Sequence, residues 1–355
     1  MKLIKRLIYV FFILVTIAVA AVTSVSYQAG TVSPEQEPWY PFLSLAILPL
    51  VGINFLLLIL WGVCKNRWAF LPFAMLLLHF EFISAMFQIR LFVGDAPEGT
   101  EKIKVITYNV DNFHSSDKNQ QSEIMAWIKA EQPDIVCLQE SAPIAYYPVD
   151  SLKKIFPYSP YTSFSKKRGV NNVSILSKYP IVEMKSFLYP DSGNESFLAV
   201  LDMNGKRVRV LNNHLQTTSV NSVKPRLYQA IAEENKKEEA SAFKEMVKGM
   251  KRNFQMRANQ VDSMRRVINQ EDTPIIICGD FNDPPQTYTY RTMKGDLTDG
   301  FRDCGSGFGY TFRQIRQLLR IDYILYSSDF KGLRYDSPDI DFSDHQPVVW
   351  EGYLK

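Results

Sequence analysis

Apolar residues are distributed along this chain in two different ways. Over roughly the first 95 positions they form long runs; beyond residue 100 they come in short bursts that end in polar side chains. Leu7–Val22 carries no charge, and none follows until Glu35; Pro41–Cys64 is also free of charge. Each run approaches the ~20 apolar residues that cross a bilayer. A third run, Trp68–Phe92, is long enough but holds His79, Glu81 and Arg90. The pattern predicts a membrane module over 1–95, with spans near 7–25, 41–64 and 68–92. Lys2, Lys5 and Arg6 before an apolar run with Ala18-Val19-Ala20 also fit a cleaved signal peptide, although an uncleaved anchor is the reading taken here.

Lys and Arg flank the N-terminus and, as Lys65 and Arg67, the loop after the second span; 23–40 has neither. Positive charge stays inside, so residues 96–355 are expected outside the cytoplasm whether or not the first span is kept. Were the third run merely to lie on the surface, the C-terminal part would be cytoplasmic. Trp39, Tyr40, Trp61 and Trp68 fall where aromatic belts form. Glu81 reads either as a functional intramembrane carboxylate beside His79 or as the sign that the third segment tilts or leaves the bilayer early.

Residues 96–100 read as a linker, and 101–355 as one large domain. Strand-like runs cover Lys102–Tyr108, Asp134–Leu138, Val173–Leu176, Arg207–Leu211, Pro274–Cys278, Ile321–Tyr326 and Val348–Tyr353. Ile124, Trp127 and Ile128 have helical spacing over 117–130, and 225–268 reads as a pair of helices whose charged middle, Glu233–Glu239, is a solvated face. Both alternating and fully apolar strands occur, which suits two buried sheets flanked by helices, an α/β or α+β class.

Composition narrows the function. With 46% hydrophobic and 22% charged residues over 355 positions, the chain is neither disordered nor low in complexity. The net charge of +3 gives no strong field for long polyanions, which weakens a nucleic-acid substrate without excluding it. Four cysteines rule out a disulfide scaffold; Cys137 and Cys278 sit in apolar strands as small core residues, and no structural disulfide is expected.

The polar strand ends carry the candidate chemistry. The apolar Ile275–Cys278 leads into Gly279-Asp280-Phe281-Asn282, where Asp280 and Asn282 can face one side, or simply form an Asx turn. Asp344-His345 offers a metal ligand beside a general base, or a capped loop. Glu140 ends a buried strand and needs a cation or a basic side chain. Asp322 can hold an imidazole in one tautomer, or bond to backbone at a strand edge. Oxygen donors without clustered Cys or His favour Mg²⁺, Ca²⁺ or Mn²⁺ over Zn²⁺. Together these residues suit hydrolysis of a phosphoester by water.

Tyr108-Asn109-Val110, Gln139-Glu140, Asn213-His214-Leu215, Gly279-Asp280-Phe281-Asn282, Arg320-Ile321-Asp322-Tyr323-Ile324 and Ser343-Asp344-His345 occur in that order, and over residues 101–355 the chain resembles the endonuclease/exonuclease/phosphatase superfamily. The resemblance implies a four-layer α/β/β/α sandwich and metal-dependent phosphoester hydrolysis. By it, Glu140 resembles the principal Mg²⁺ ligand, and Asn109 and Asp344 look like further metal-side residues. Asp280 and Asn282 resemble the pair that activates water and contacts phosphate, with Asn282 and His214 as substrate-binding residues. His345 is similar to the general base or phosphate ligand, and Asp322 to its orienting carboxylate. The division of roles between Asp280 and His345 stays open. A Cys before Gly279, and Ile321-Asp322-Tyr323 near the end, separate the chain from the inositol-polyphosphate 5-phosphatase branch. Tyr108-Asn109-Val110-Asp111-Asn112-Phe113 separates it from the abasic-site endonucleases and leaves it nearer the broad sphingomyelinase-like branch.

The expectation is therefore a membrane-anchored hydrolase of phosphoester bonds that uses Mg²⁺, with Mn²⁺ as a substitute. Its substrate would be a phospholipid, a small phosphodiester or nucleic acid; its setting is the bilayer, and no protein partner is expected. The alternatives are an extracytoplasmic nuclease, a non-catalytic binding protein on the same fold, or a transport role for the membrane part. An added helical stretch of roughly 40 residues after His214 reads as a surface insertion, or as one that covers the site or meets the membrane. Lys166-Lys167-Arg168 and Lys251-Arg252 read as solvated faces or phosphate contacts.

Overall fold

A computed structural model describes residues 2–90, 94–116, 118–141, 149–158, 173–190, 192–218 and 223–355. The Lys166-Lys167-Arg168 cluster lies outside the described residues. The chain divides into two compact units: Met1–Ser84 with Ser219–Asn259 and Pro285–Arg291, and Ala85–Thr218 with Gln260–Pro284 and Thr292–Lys355.

In the first unit the apolar runs form α1 (Lys2–Ser26), α2 (Ile47–Val63), α3 (Phe70–Leu78) and α4 (Phe80–Met86). Among the described residues one helix, Lys2–Gly30, is long and apolar enough to cross a membrane alone. The expected second span is shorter than 41–64: Tyr40–Ser44 is a separate short helix, and α2 begins at Ile47. Pro49 explains that start, since proline fits the first turn, whose N–H groups have no helical partner. The expected third span, 68–92, breaks at His79, where the helices on either side meet at 61°.

These helices bury polar side chains alongside Ile47, Leu50 and Leu57 and expose a broad apolar surface. Thr16, Thr23 and Asn54 are buried, while Leu7, Ile8, Phe11, Leu14, Phe55 and Leu56 are exposed. Trp61 Nε1 donates to Thr16 Oγ1 at 2.9 Å, and Asn54 Nδ2 to Thr23 Oγ1 at 2.9 Å. Asn66 Nδ2 reaches Tyr9 Oη at 3.3 Å, and the His79 ring bonds Thr23 O at 2.9 Å. α3 therefore runs alongside α1 from the level of Tyr9 to that of Thr23. Glu81 does not pair with His79 but lies 3.9 Å from Arg291, which stacks over Tyr27. The inserted helices Lys224–Ala232 and Lys236–Ile268 are the expected pair, and the part up to Asn259 belongs to this unit. Phe254 packs edge-on against Phe42, and Lys251 lies over the ring of Trp39.

The second unit is built on a sandwich of two sheets, apart from a small ribbon that pairs Phe87–Gln88 with Gly307–Phe308. In chain order the strands of the sandwich are β1 (Ile103–Asn109), β2 (Ile135–Gln139), β3 (Ser174–Ser177), β4 (Ile181–Leu188), β5 (Glu195–Met203), β6 (Lys206–His214), β7 (Ile275–Asp280), β8 (Thr298–Asp299), β9 (Asp322–Tyr326), β10 (Phe330–Asp336) and β11 (Val348–Leu354). One sheet has the order β10-β11-β1-β2-β3, the other β4-β5-β6-β7-β9-β8. Val105, Ile135 and Cys137 of the first sheet meet Val208, Val210, Ile276 and Ile324 of the second in one buried apolar layer. Helices cover both outer faces. α5 (Lys118–Glu131) and α6 (Val149–Ile155) bring Ile124, Ile128 and Leu152 onto Ile106, Val136 and Leu138. On the far side Arg209 donates to the carbonyls of Val267 and Ile268, at the end of the long helix Lys236–Ile268. The four-layer α/β/β/α arrangement is as expected from the sequence, and no disulfide links the cysteines.

Sheet topology places the polar strand ends together. β1 and β2 are parallel, as are β6 and β7. Parallel neighbours require crossovers, which α5 and the inserted helices supply. Each sheet thus presents two carboxyl ends side by side: Asn109 with Gln139-Glu140, and His214 with Asp280. β9 pairs antiparallel with β7, so Asp322 begins opposite Asp280.

Candidate active site

Gly279 allows this edge to form. Its φ is +130°, and a Cβ there would collide with the backbone of Asn213 on β6, so only glycine lets β7 lie this close. Asp280 follows and is buried. Its Oδ1 accepts the backbone N–H of Asn282 at 2.7 Å, and its Oδ2 accepts Asn282 Nδ2 at 3.1 Å. The Asx turn and the paired presentation are thus one and the same geometry. Asn282 has φ +53°, and Nδ2 also donates to Leu215 O at 3.0 Å.

Asn109 joins the two sheets. Its Nδ2 reaches Asp280 Oδ2 at 3.1 Å and Glu140 Oε1 at 3.3 Å. Glu140 Oε2 accepts Asn112 Nδ2 at 2.8 Å. Among the described residues no Lys or Arg forms an ion pair with Glu140. His214 Nε2 lies 3.6 Å from Glu140 Oε1 and 3.8 Å from Asp280 Oδ2. His345 Nδ1 bonds Asp322 Oδ2 at 2.9 Å, and its Nε2 lies 3.7 Å from Asp280 Oδ2. Because a carboxylate accepts, Nδ1 carries the proton and Nε2 faces Asp280. Asp344 sits at the rim, partly exposed: one oxygen is 3.9 Å from His345 Nε2, and the other accepts Gln314 Nε2 at 2.9 Å. Every residue named from the sequence therefore falls in one cluster.

The electrostatics follow from burial and crowded charge. Burial pushes the Glu140 carboxyl up, against the bond from Asn109. Burial also raises Asp280, and despite the pull of His345 and His214 it stands at about 6. For His345 burial opposes the charge, but Asp322, Asp280 and Asp344 outweigh it and hold the imidazolium up to about 10. His214 is driven the other way: burial lowers it and favours the neutral ring.

The sequence motifs left out the residues that hold this cluster in place. Ser343 Oγ donates to Asn109 O at 2.7 Å and accepts the His345 N–H at 3.2 Å, tying the two strand ends together. Thr311 Oγ1 accepts the N–H groups of Ile321 and Asp322, each at 3.1 Å. Arg320 is fully buried against Asp299 and stacks on Tyr323. A buried arginine two positions before Asp322 needs a buried acid, but the sequence does not say which.

Two donor sets could hold a cation. Asp280, Asp322 and His345 place one ligand atom each within 4.8 Å of one another. The proton between His345 and Asp322 already occupies that set. Glu140 and Asp280 instead offer carboxylate oxygens on either side of the Asn109 amide nitrogen, and two buried carboxyls raised by burial are what a hard divalent cation would relieve. The residues fit such an ion there.

Residues 106–242 and 255–345 match a family described as "Endonuclease/Exonuclease/phosphatase family". Residues 7–86 match one described as "Domain of unknown function (DUF8431)". No curated protein matches the chain. Among solved structures, a humanized D. rerio TDP2 is 18% identical with a TM-score of 0.50, covering 71% of this chain and 99% of its own. A Bacteroides vulgatus endonuclease/exonuclease/phosphatase is 17% identical with a TM-score of 0.50, covering 72% of this chain and 100% of its own. At these identities the likeness speaks to the fold.

Proposed function

This chain belongs to the endonuclease/exonuclease/phosphatase family, and from that premise we propose that it is a membrane-anchored, divalent-metal-dependent hydrolase of phosphoester bonds. The observation that carries the reading is Asp280: it lies between the Asp322–His345 pair at 3.7 Å and the His214 and Glu140 side chains, where both sheets meet. Glu140 would hold Mg²⁺ or Mn²⁺ beside Asp280, with Asp344 reaching in from the rim and Asn109 joining once its amide turns its oxygen from the Asp111 N–H. When bound, that ion supplies charge neutralisation of the phosphate oxygens.

The chain's own groups handle the proton and the phosphate. Asp280, at about 6, is mostly ionised at neutral pH and still basic enough to take a proton from water. Asn282 holds Asp280 through both of its oxygens, and the Asn109 amide holds Oδ2 from the other sheet. His345, at about 10, is cationic at neutral pH, which suits donation to phosphate oxygen better than proton abstraction. Asp322 keeps that charge in place. Neutral His214 can donate through Nε2 to a second oxygen. The division left open in the sequence is thus drawn as Asp280 the base and His345 the phosphate-binding cation.

The bilayer reading is supported by the exposed apolar surface of the N-terminal helices and the polar side chains that bond between them. Apolar residues face outward and Thr, Asn and Trp bond inward, the arrangement of helices packed in lipid. Fourteen positions separate Tyr9 from Thr23, about 21 Å of helix. The segment from Asn66 to His79 matches that depth, so chain leaving at Glu81 emerges at the Ser26 end of α1, opposite Lys2, Lys5 and Arg6. This supports an extracytoplasmic catalytic unit, an uncleaved α1, and Glu81 as a contact beyond the bend.

A phospholipid or small phosphodiester suits the tether and the near-neutral charge. The test is turnover by the full chain in detergent or nanodiscs, with Mg²⁺ or EDTA, on sphingomyelin-like lipid, small phosphodiesters, phosphomonoesters, DNA and RNA. Turnover of one class, lost with EDTA and in His345→Ala, is expected. Turnover of nucleic acid alone would favour the nuclease reading. No turnover of any class by folded chain, with no cation bound, would leave a binding protein.

A further inference from the structure

Asn112 lies just beyond the Tyr108-Asn109-Val110 motif, and its backbone is unusual. Asp111, Asn112 and Phe113 have φ of 44°, 51° and 51°, and Glu140, across from them, has φ 51°. Left-handed backbone is disfavoured for any residue with a Cβ, tolerated by Asn and Asp, and an outlier for Phe. The stretch is held against this strain. Val110 N–H donates to Gln139 O at 3.0 Å, Asn112 N–H to Glu140 O at 3.0 Å, and Asp111 N–H to Asn109 Oδ1 at 3.1 Å. Phe113 is 1% exposed in the apolar layer under α5.

What the twist achieves is the direction of one side chain. Asn112 Nδ2 donates to Glu140 Oε2 at 2.8 Å, whereas Oε1 takes Asn109 Nδ2 at 3.3 Å and lies 3.6 Å from His214 Nε2. An ionised carboxylate only accepts, so the amide must present its nitrogen. We propose that Asn112 is a positioning residue that ties off Oε2 of Glu140 and leaves Oε1 as the oxygen offered to the site and to a divalent cation. This rests on the hydrolase reading above. Strained backbone is retained where the surroundings over-determine it, commonly at functional sites. If backbone conformation were the only demand at position 112, glycine would serve at least as well.

That difference supplies the test. The full chain in detergent is titrated calorimetrically with Mn²⁺ in the absence of substrate, and its thermal unfolding is followed in EDTA. Asn112→Gly removes the amide and relieves the strain; Asn112→Ala removes the amide and keeps the strain. Both variants are expected to weaken Mn²⁺ binding by about 10-fold or more, the usual effect of losing a group that orients a metal ligand. Asn112→Gly is expected to unfold in EDTA no earlier than the wild type, and Asn112→Ala earlier. Wild-type Mn²⁺ affinity in Asn112→Gly would overturn the positioning role and leave the hydrolase reading intact. A wild-type chain that binds no Mn²⁺ would overturn the metal-dependent reading and this proposal with it.

Discussion

His345 and Asp280 lie 3.7 Å apart and carry opposite charges at neutral pH. Activity should therefore rise as pH passes about 6, where Asp280 ionises, and fall as it approaches about 10, where His345 loses its proton. The pH profile of kcat/KM tests this. Asp322→Asn should move the upper limb toward the ordinary imidazole range and leave the lower limb near its place; an unmoved upper limb would assign it to another group. Stability carries a sign too. The folded pKa of His345 lies above its unfolded value of 6.5, so its contribution is complete below that value and is lost as pH climbs toward about 10. Asp280 is raised as well, and its burial costs stability as pH rises from its unfolded value of 3.8 through about 6. Thermal unfolding of the wild type and of Asp322→Asn across pH 6 to 10 should converge at the alkaline end. Glu140→Gln keeps the bonding shape but removes the charge, and should lower metal-dependent turnover by about 100-fold or more at fixed Mg²⁺.

At the scale of elements, the site depends on how closely β6 and β7 approach. Gly279→Ala would force a Cβ into the Asn213 backbone at a φ of +130°, in the middle of a buried sheet. A loss of about 3 kcal/mol or more is expected, since strain and overpacking add. Urea unfolding measures it, and a loss under about 1 kcal/mol would mean that β7 can shift without cost. In α2, Asn54→Leu removes the bond to Thr23 Oγ1. Interhelical hydrogen bonds in lipid average under about 1–2 kcal/mol. The change should therefore be small in the bilayer, measured as thermal stability in nanodiscs.

For the whole molecule, the exposed apolar sides of α1 and α2 make the full chain a membrane protein on this reading. It should partition with membranes, resist carbonate extraction, and be released by detergent. A cysteine introduced in the catalytic unit, at exposed Ser328, should be labelled by an impermeant thiol reagent added outside intact cells. Labelling only after lysis would place that unit in the cytoplasm and reverse the positive-inside argument.

Much of this was legible in the sequence, for physical reasons that differ by element. A buried strand is mostly apolar along its length, so β1, β2, β7 and β11 declare themselves, and the polar residues that end β1, β2 and β7 mark the edge where the site is built. β4 is an edge strand with mostly exposed side chains, and nothing in its composition demands a sheet. β5 and β10 went unmarked beside it, although β5 is almost wholly buried. The three apolar N-terminal runs are plain, but the break at His79 is not: it reflects a bond to Thr23, 56 positions earlier. Local sequence thus determined composition, periodicity, the polar strand ends and the candidate residues Asn109, Glu140, His214, Asp280, Asn282, Asp322, Asp344 and His345. Only the tertiary structure decided that two parallel strand pairs in different sheets share one edge, that Asp322 takes His345, and that Asn112 turns left-handed to hold Glu140. Those are contacts between residues tens to hundreds of positions apart, and their energies arise from burial and geometry that exist only once the sheets have packed.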